Sequence, residues 1–182
     1  MNHPIQFIRT SVFKPNECEG IINLLDDLTS NTAEVMDTPG KSWARRCDIS
    51  WVPRSADTAD IYNPIEQSFN DAAHFFGFQI DRIQELQYTI YTPFDFYRMH
   101  TDNGHNEPGV LKRKLTMSIN LSGPNTYLGG RLKVKTQSRA KTTKVEGQAT
   151  IFPSFLWHQA NPVWFGKRKA IVAWALGQEP FR

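Results

Sequence analysis

Cysteine is scarce in this chain, with only Cys18 and Cys47 among 182 residues. Two thiols cannot build a disulfide framework, and no Cys-x-x-Cys spacing offers a thiolate metal site. The expectation is two reduced thiols in a reducing compartment, the cytoplasm. Long apolar runs are missing too, and nothing approaches the ~18 residues of a membrane span. The opening Met1-Asn2-His3-Pro4-Ile5-Gln6-Phe7-Ile8-Arg9 has no basic start followed by an apolar stretch, so no signal peptide is expected. Glycine and proline, eleven each, sit near average usage, which excludes collagen-like and low-complexity chains. With 40% apolar and 21% charged residues, the composition is globular and sufficient for a buried core. We therefore expect residues 1–182 to form one domain.

Acidic residues are absent from a long internal stretch. Between Pro108 and Val145 there is no Asp or Glu, while nine Lys and Arg occur from Lys112 to Lys144, in a chain of net charge only +3. This segment is either a solvated basic face or a surface whose field draws an acidic partner, polypeptide or nucleic acid.

What is present divides the chain into two periods. Asn16 and Glu17 suit a helix start, and Ile21, Ile22, Leu24, Leu25 and Leu28 follow as an amphipathic stripe. Residues 45–52 alternate as a strand. Ile61, Ile65, Phe69, Ala72 and Phe76 then step by three or four, predicting a helix over 59–76. From about residue 84 the period becomes two. Leu86, Tyr88 and Ile90 alternate with polar neighbours, as do Leu115, Met117, Ile119 and Leu121. Further strands are expected at 131–136, 142–145, 149–152, 158–163 and 169–176. Helices followed by short punctuated strands predict an α+β layout, a β-sandwich core with helices packed on one side.

His100-Thr101-Asp102 carries the chemistry. On an extended segment over 94–102, residues two apart share a face, so His100 and Asp102 project together. An imidazole and a carboxylate, joined by one more His, make a facial triad for non-haem Fe(II) with coordination positions left open. His3, His74, His105 and His158 are the candidates for the third ligand. His158 stands apart because it follows the turn Phe152-Pro153-Ser154-Phe155-Leu156-Trp157 and opens another strand pattern. Arg168, ten residues on, is in phase with Ala170, Val172 and Trp174. It is either an inward guanidinium awaiting an anion or part of a basic turn with Lys167 and Lys169.

Four separated stretches resemble the 2-oxoglutarate/Fe(II)-dependent dioxygenases, in their prolyl 4-hydroxylase-like, PKHD-type branch. The first is residues 87–102, an aromatic strand, a tight turn, and Tyr97 three residues before His-x-Asp. The second is 114–121 with Tyr127-Leu128-Gly129-Gly130-Arg131-Leu132. The third is 147–163, with the Phe-Pro-Ser turn, His158 and a following Pro-Val. The fourth is Gly166-Lys167-Arg168 through Trp174. The clear similarity covers about residues 84–176, and residues 13–28 and 46–51 match more loosely.

The resemblance implies a double-stranded β-helix (jelly roll) core over about 84–176, with helices of the preceding segment, about 1–83, on its outer face. It implies His100, Asp102 and His158 as Fe(II) ligands and Arg168 as the partner of the distal 2-oxoglutarate carboxylate. Tyr91 matches a Tyr that bonds the same carboxylate, or else is a core aromatic; Thr116 would line the co-substrate pocket. The cofactors implied are Fe(II), 2-oxoglutarate and O2, with ascorbate as a stimulant and succinate and CO2 as co-products. The implied activity is hydroxylation of a prolyl or other residue of a protein or peptide. A free amino acid or small molecule is the alternative substrate, and a non-catalytic jelly-roll binding module is another. Nucleic-acid demethylation is disfavoured, because Trp174 stands where those enzymes carry a second Arg. The family's acidic residue after Gly-Gly is here Arg131. Substrate choice is expected to lie in the polar loops 31–41 and 103–111.

Overall fold

The computed structural model describes residues 6–31, 43–103, 111–137 and 141–178. The chain opens with β1 (Ile8–Ser11) and α1 (Pro15–Asn31), then β2 (Arg45–Arg46), β3 (Asp48–Val52) and α2 (Ala59–Phe76). Next come β4 (Arg82–Ile83), β5 (Leu86–Tyr91), β6 (Phe96–His100), β7 (Lys112–Asn120), β8 (Tyr127–Gly129) and β9 (Leu132–Val134). It continues through β10 (Gln148–Pro153), β11 (His158–Ala160), β12 (Val163–Gly166) and β13 (Arg168–Gly177).

Local chemistry sets the helix ends. Helix α1 begins one residue before the expected Asn16, with Pro15 in its first position, where the missing N–H costs nothing. Glu17 Oε2 reaches back to accept the Lys14 N–H at 2.8 Å, half of a capping box. Helix α2 stops at Gly77, whose φ of 71° opens the left-handed cap, and the Phe78 N–H closes it on Ala73 O at 2.9 Å. No helix among the described residues is long and apolar enough to cross a membrane.

A larger sheet runs β1-β10-β7-β13-β5-β3, with β4 added beside β13, and a smaller one runs β2-β6-β11-β9. Strands β12 and β8 form a separate ribbon, and every pairing is antiparallel. The alternation seen in the sequence sorts the larger sheet into two faces. Leu115, Met117 and Ile119 of β7, with Ile171, Ala173 and Ala175 of β13, pack against Leu25 of α1 and Ile65 and Phe69 of α2. Full burial of each large side chain there stabilises by about 1.5–3 kcal/mol. The opposite face turns Thr116, Ser118, Val172 and Trp174 toward the smaller sheet. The architecture is thus the expected jelly roll with the helices on its outer face. Cys18 and Cys47 are both free and buried, and burial together with Glu146 and Glu17 pushes the Cys18 thiol up to about 11.

Three expected strands differ, the first being 45–52, which splits at Cys47 into β2 of the smaller sheet and β3 of the larger. Residues 142–145 are not a strand. Instead the Thr142 hydroxyl donates to Leu132 O, and Arg131 Nη1 donates to Thr142 O at 2.6 Å, so side chains fasten this segment along β9. Arg131, which stands where the family that the sequence resembles has an acidic residue, is used for that anchorage. The stretch 158–163 breaks at Asn161-Pro162, because proline cannot donate to a ladder. The chain restarts there as β12, pairing with β8.

Candidate metal and co-substrate site

The Gly-, Pro- and aromatic-rich turns of the sequence aim the three candidate ligands at one another. His100 ends β6 and His158 opens β11, and the two are cross-strand partners. Asp102 follows β6, and its N–H donates to Ser154 O at 2.8 Å, tying it to the turn before His158. His100 Nε2 lies 3.4 Å from Asp102 Oδ1, and His158 Nε2 lies 3.3 Å from Asp102 Oδ2. One atom from each residue falls within 4.8 Å of the others.

The tautomers follow from partners that can only accept. His100 Nδ1 meets Arg98 O at 2.7 Å and His158 Nδ1 meets Leu156 O at 2.9 Å, so both Nδ1 atoms carry the proton. In the neutral rings both Nε2 lone pairs then face the Asp102 carboxylate. Three electron-pair donors facing one another repel unless a proton or a cation sits among them. Two imidazole nitrogens and a carboxylate oxygen are the donor set suited to Fe(II).

Further groups hold this arrangement. Asp102 Oδ2 accepts from Thr116 Oγ1 and from Trp174 Nε1, each at 2.9 Å. Thr116 in turn meets Ser154 Oγ at 3.0 Å. Burial alone would raise the Asp102 carboxyl, but a proton shared with His100 and His158, together with the Trp174 N–H, outweighs it and holds the group well below the usual carboxylate range. The Tyr97 ring stacks on His100 with centroids 3.6 Å apart. Residues three apart on a regular strand point to opposite faces; a register irregularity between β6 and β11 brings these two together.

The triad lines a cavity of about 250 Å³ between the two sheets. Arg168 lies at one end of it, buried, with its Cζ 5.4 Å above the Tyr91 ring and Nη2 approaching Ser118 Oγ at 3.4 Å. Among the described residues no carboxylate lies within ion-pair distance of it. Burial, and then Cys47, raise the Tyr91 phenol against the opposing pull of Arg168 and Arg45, so it stays a protonated donor. Gly130 makes room for the Arg168 stem, since a Cβ there would stand 3.1 Å from Arg168 Cδ.

The structure thus brings together His100, Asp102, His158, Arg168, Tyr91 and Thr116. His74 is exposed in the last turn of α2, away from the site, and His3 and His105 lie outside the described residues, as do most of the loops 31–41 and 103–111. Trp174 joins the residues of the site, one for which the sequence suggested no role at the ligands. Its phase with Arg168 was the available signal for a donor to Asp102.

The family model described as 2OG-Fe(II) oxygenase superfamily matches residues 86–176, from β5 into β13. The chain belongs to this superfamily. A PKHD-type hydroxylase of Pseudoalteromonas atlantica is 28% identical over 126 residues, 66% of this chain and 56% of its own length. One from Prochlorococcus marinus is 37% identical over 79 residues, 43% of this chain and 35% of its own. These relatives mark the PKHD-like branch of the 2OG-Fe(II) oxygenases, and the matches span about half their length or less. A Pseudomonas putida prolyl-4-hydroxylase superposes with a TM-score of 0.73 at 16% identity, covering 95% of this chain and 93% of that one. A Trichoplax adhaerens prolyl hydroxylase, in complex with a hypoxia inducible factor oxygen degradation domain peptide fragment, gives 0.69 at 17% identity, covering 93% and 83%. At such identities the likeness is one of fold. The 2OG-Fe(II) oxygenases work with Fe(II), 2-oxoglutarate and O2, and the two-imidazole, one-carboxylate donor set described above fits that metal.

Proposed function

We propose that residues 1–182 form one Fe(II)- and 2-oxoglutarate-dependent dioxygenase domain, with a helical segment to about 83 and the catalytic core over about 84–176. Its reaction is hydroxylation of a prolyl or other residue in a protein or peptide, with succinate and CO2 as co-products. The observation that carries this reading is the convergence of His100, Asp102 and His158 in a cavity whose far end holds the buried Arg168.

Bound Fe(II) would supply the redox centre for O2 reduction coupled to 2-oxoglutarate decarboxylation. The chain's own residues do the rest. Nε2 of His100 and of His158 and the Asp102 carboxylate hold the metal. Arg98 O and Leu156 O keep each imidazole in the ligating tautomer, the outer contact that fixes ring orientation. Thr116 and Trp174 hold the carboxylate in place. Arg168 receives the distal carboxylate of 2-oxoglutarate with its planar guanidinium, and Tyr91 donates to the same group. Phe152, Tyr97 and Trp174 exclude water from the cavity.

Anaerobic titration with Fe(II) and then 2-oxoglutarate tests the cofactor assignment. A visible charge-transfer band is expected from wild type and none from His100→Ala; equal spectra would overturn it. Incubation with co-substrates and a proteome extract should then yield peptides heavier by one oxygen atom.

A further inference from the structure

The cavity carries more positive charge than the metal and co-substrate account for. Its lining among the described residues includes three arginines, Arg45, Arg113 and Arg168, and one acidic side chain, Asp102. In the loaded site the charge of Fe(II) would be matched by the two carboxylates of 2-oxoglutarate, and Asp102 would offset Arg168. Arg113 then remains as surplus charge; Arg45, also on the wall, is held by Gln87 Oε1 at 2.8 Å and Cys47 Sγ at 3.1 Å.

Arg113 reaches the cavity through an irregularity in the sheet. Along β7, Thr116 and Ser118 face the cavity while Leu115 and Met117 face the helices. Strict alternation would send Arg113 to the helix side with Leu115. The register with β13 instead runs Ala175 to Leu115 and then Leu176 directly to Arg113, so Lys114 is an extra residue on β7. This bulge turns Arg113 onto the face of Trp174, and its Cζ stands 3.9 Å above the Trp174 ring. Bulges beside functional sites commonly re-aim one side chain in this way. Gln84 Oε1 accepts from Arg113 Nε at 2.9 Å and steadies the stem.

Across the cavity, Arg45 on β2 pairs with Tyr97 on β6, and its Cζ lies 4.7 Å above that ring. The order along β7 and β13 separates the two anion seats. Arg168 starts β13, Val172 and Trp174 pair with Ser118 and Thr116 further along, and Arg113 comes after them at the far end. The Asp102 carboxylate sits at the level of Thr116 and Trp174, between the two. Burial depresses the Arg113 pKa, with Asp102 opposing, the mark of a partly desolvated cation.

We propose that Arg113, with Arg45 opposite, seats a carboxylate of the substrate undergoing hydroxylation, on the far side of the metal ligands from Arg168. This rests on the dioxygenase reading and narrows its substrates to those with a carboxylate near the reacting carbon. That carboxylate is either an acidic side chain of a peptide or the carboxylate of a free amino acid. A planar guanidinium fork suits it, and the aromatic walls suit the apolar part of such a molecule.

Calorimetry on the full chain, loaded anaerobically with Fe(II) and 2-oxoglutarate, tests this by binding rather than turnover. The probes are two matched pairs, acetyl-Glu-Pro-Gly-amide against acetyl-Gln-Pro-Gly-amide, and L-proline against L-prolinamide. We expect the carboxylate member of one pair to bind at least about tenfold more tightly. A preference in the first pair identifies a peptide source, and in the second a free amino acid. Arg113→Gln should erase the preference and Arg113→Lys should keep much of it, with 2-oxoglutarate affinity unchanged in both, which also reports that the fold is intact. No preference in wild type overturns the inference, as does a preference that survives Arg113→Gln. So does Arg113-dependent binding of a short single-stranded oligonucleotide where neither carboxylate is favoured. Failure of 2-oxoglutarate to bind at all overturns the dioxygenase reading itself, whereas 2-oxoglutarate binding without carboxylate preference overturns the substrate inference alone.

Discussion

A guanidinium 6% exposed on a strand, with Ser118 and Tyr127 as hydrogen-bonding neighbours, is favourable only when an anion completes it. On the proposed reading that anion is 2-oxoglutarate. Arg168→Ala should therefore raise the 2-oxoglutarate requirement by roughly 30- to several-thousand-fold, from the ~2–5 kcal/mol lost with a buried charged pair. Fe(II) affinity should stay nearly unchanged, as titration of each in turn would show. Lys167 is exposed and Lys169 pairs with Asp26 at 2.5 Å, so alanine at either should leave 2-oxoglutarate binding alone. Lys169→Ala should lower the melting temperature instead. Equal effects at all three positions would refute the clamp. At this scale residue type and phase put His100 and Asp102 on one face and left His158 and Arg168 as open candidates, and the structure places all four on one cavity. The sequence was silent about Trp174 as a donor, because an indole in strand phase reads as packing until its acceptor is seen. Arg113 was hidden for a different reason: counting by two from Leu115 assigns it to the wrong face, and only the register against β13 shows the extra residue.

Elements with a strong period were legible, and those without one were not. Helix α2 and strands β5, β7 and β13 announced themselves through regular spacing of Ile, Leu, Phe and Ala. Strands β1 and β4 have four and two residues, too few to show alternation. Strand β12 buries Val163 but carries Trp164 and Phe165 side by side, both exposed, so no alternation marks it. The Gly-Gly pair between β8 and β9 was recognisable as a turn, yet its purpose lies in packing. Gly130 has φ 59°, and an added Cβ would come within 2.9 Å of Val163 Cγ2 as well as 3.1 Å of Arg168 Cδ. Gly130→Ala should cost about 1–3 kcal/mol of stability and weaken 2-oxoglutarate binding by displacing Arg168. Gly123→Ala, whose Cβ would meet nothing closer than 3.4 Å, is the matched control. Thermal melts and 2-oxoglutarate titrations of the pair would check this, and equal behaviour would count against Gly130 as the support of the clamp.

At the scale of the whole molecule, the helices of the described residues pack on the larger sheet. None of β2, β6, β9 or β11 contributes to the main core, and β7 and β13 sit at its centre, flanked on both sides. The two sheets should therefore differ in how readily their amides open to solvent, with the smaller sheet exchanging first. The proposed metal ligands bridge that divide. His100 and His158 belong to the smaller sheet, while Asp102 is hydrogen-bonded to Thr116 and Trp174 of the larger one. An ion held by all three would act as a rivet between a tightly closed layer and a looser one. Hydrogen–deuterium exchange with and without Fe(II) under anaerobic conditions should show slowing concentrated in β6 and β11, with β7 and β13 already protected and little changed. Protection spread evenly over both sheets would mean that the layers open together. If the slowing is local, the metal would serve the proposed dioxygenase twice, as its reactive centre and as the fastener that keeps the thinner wall of the cavity shut.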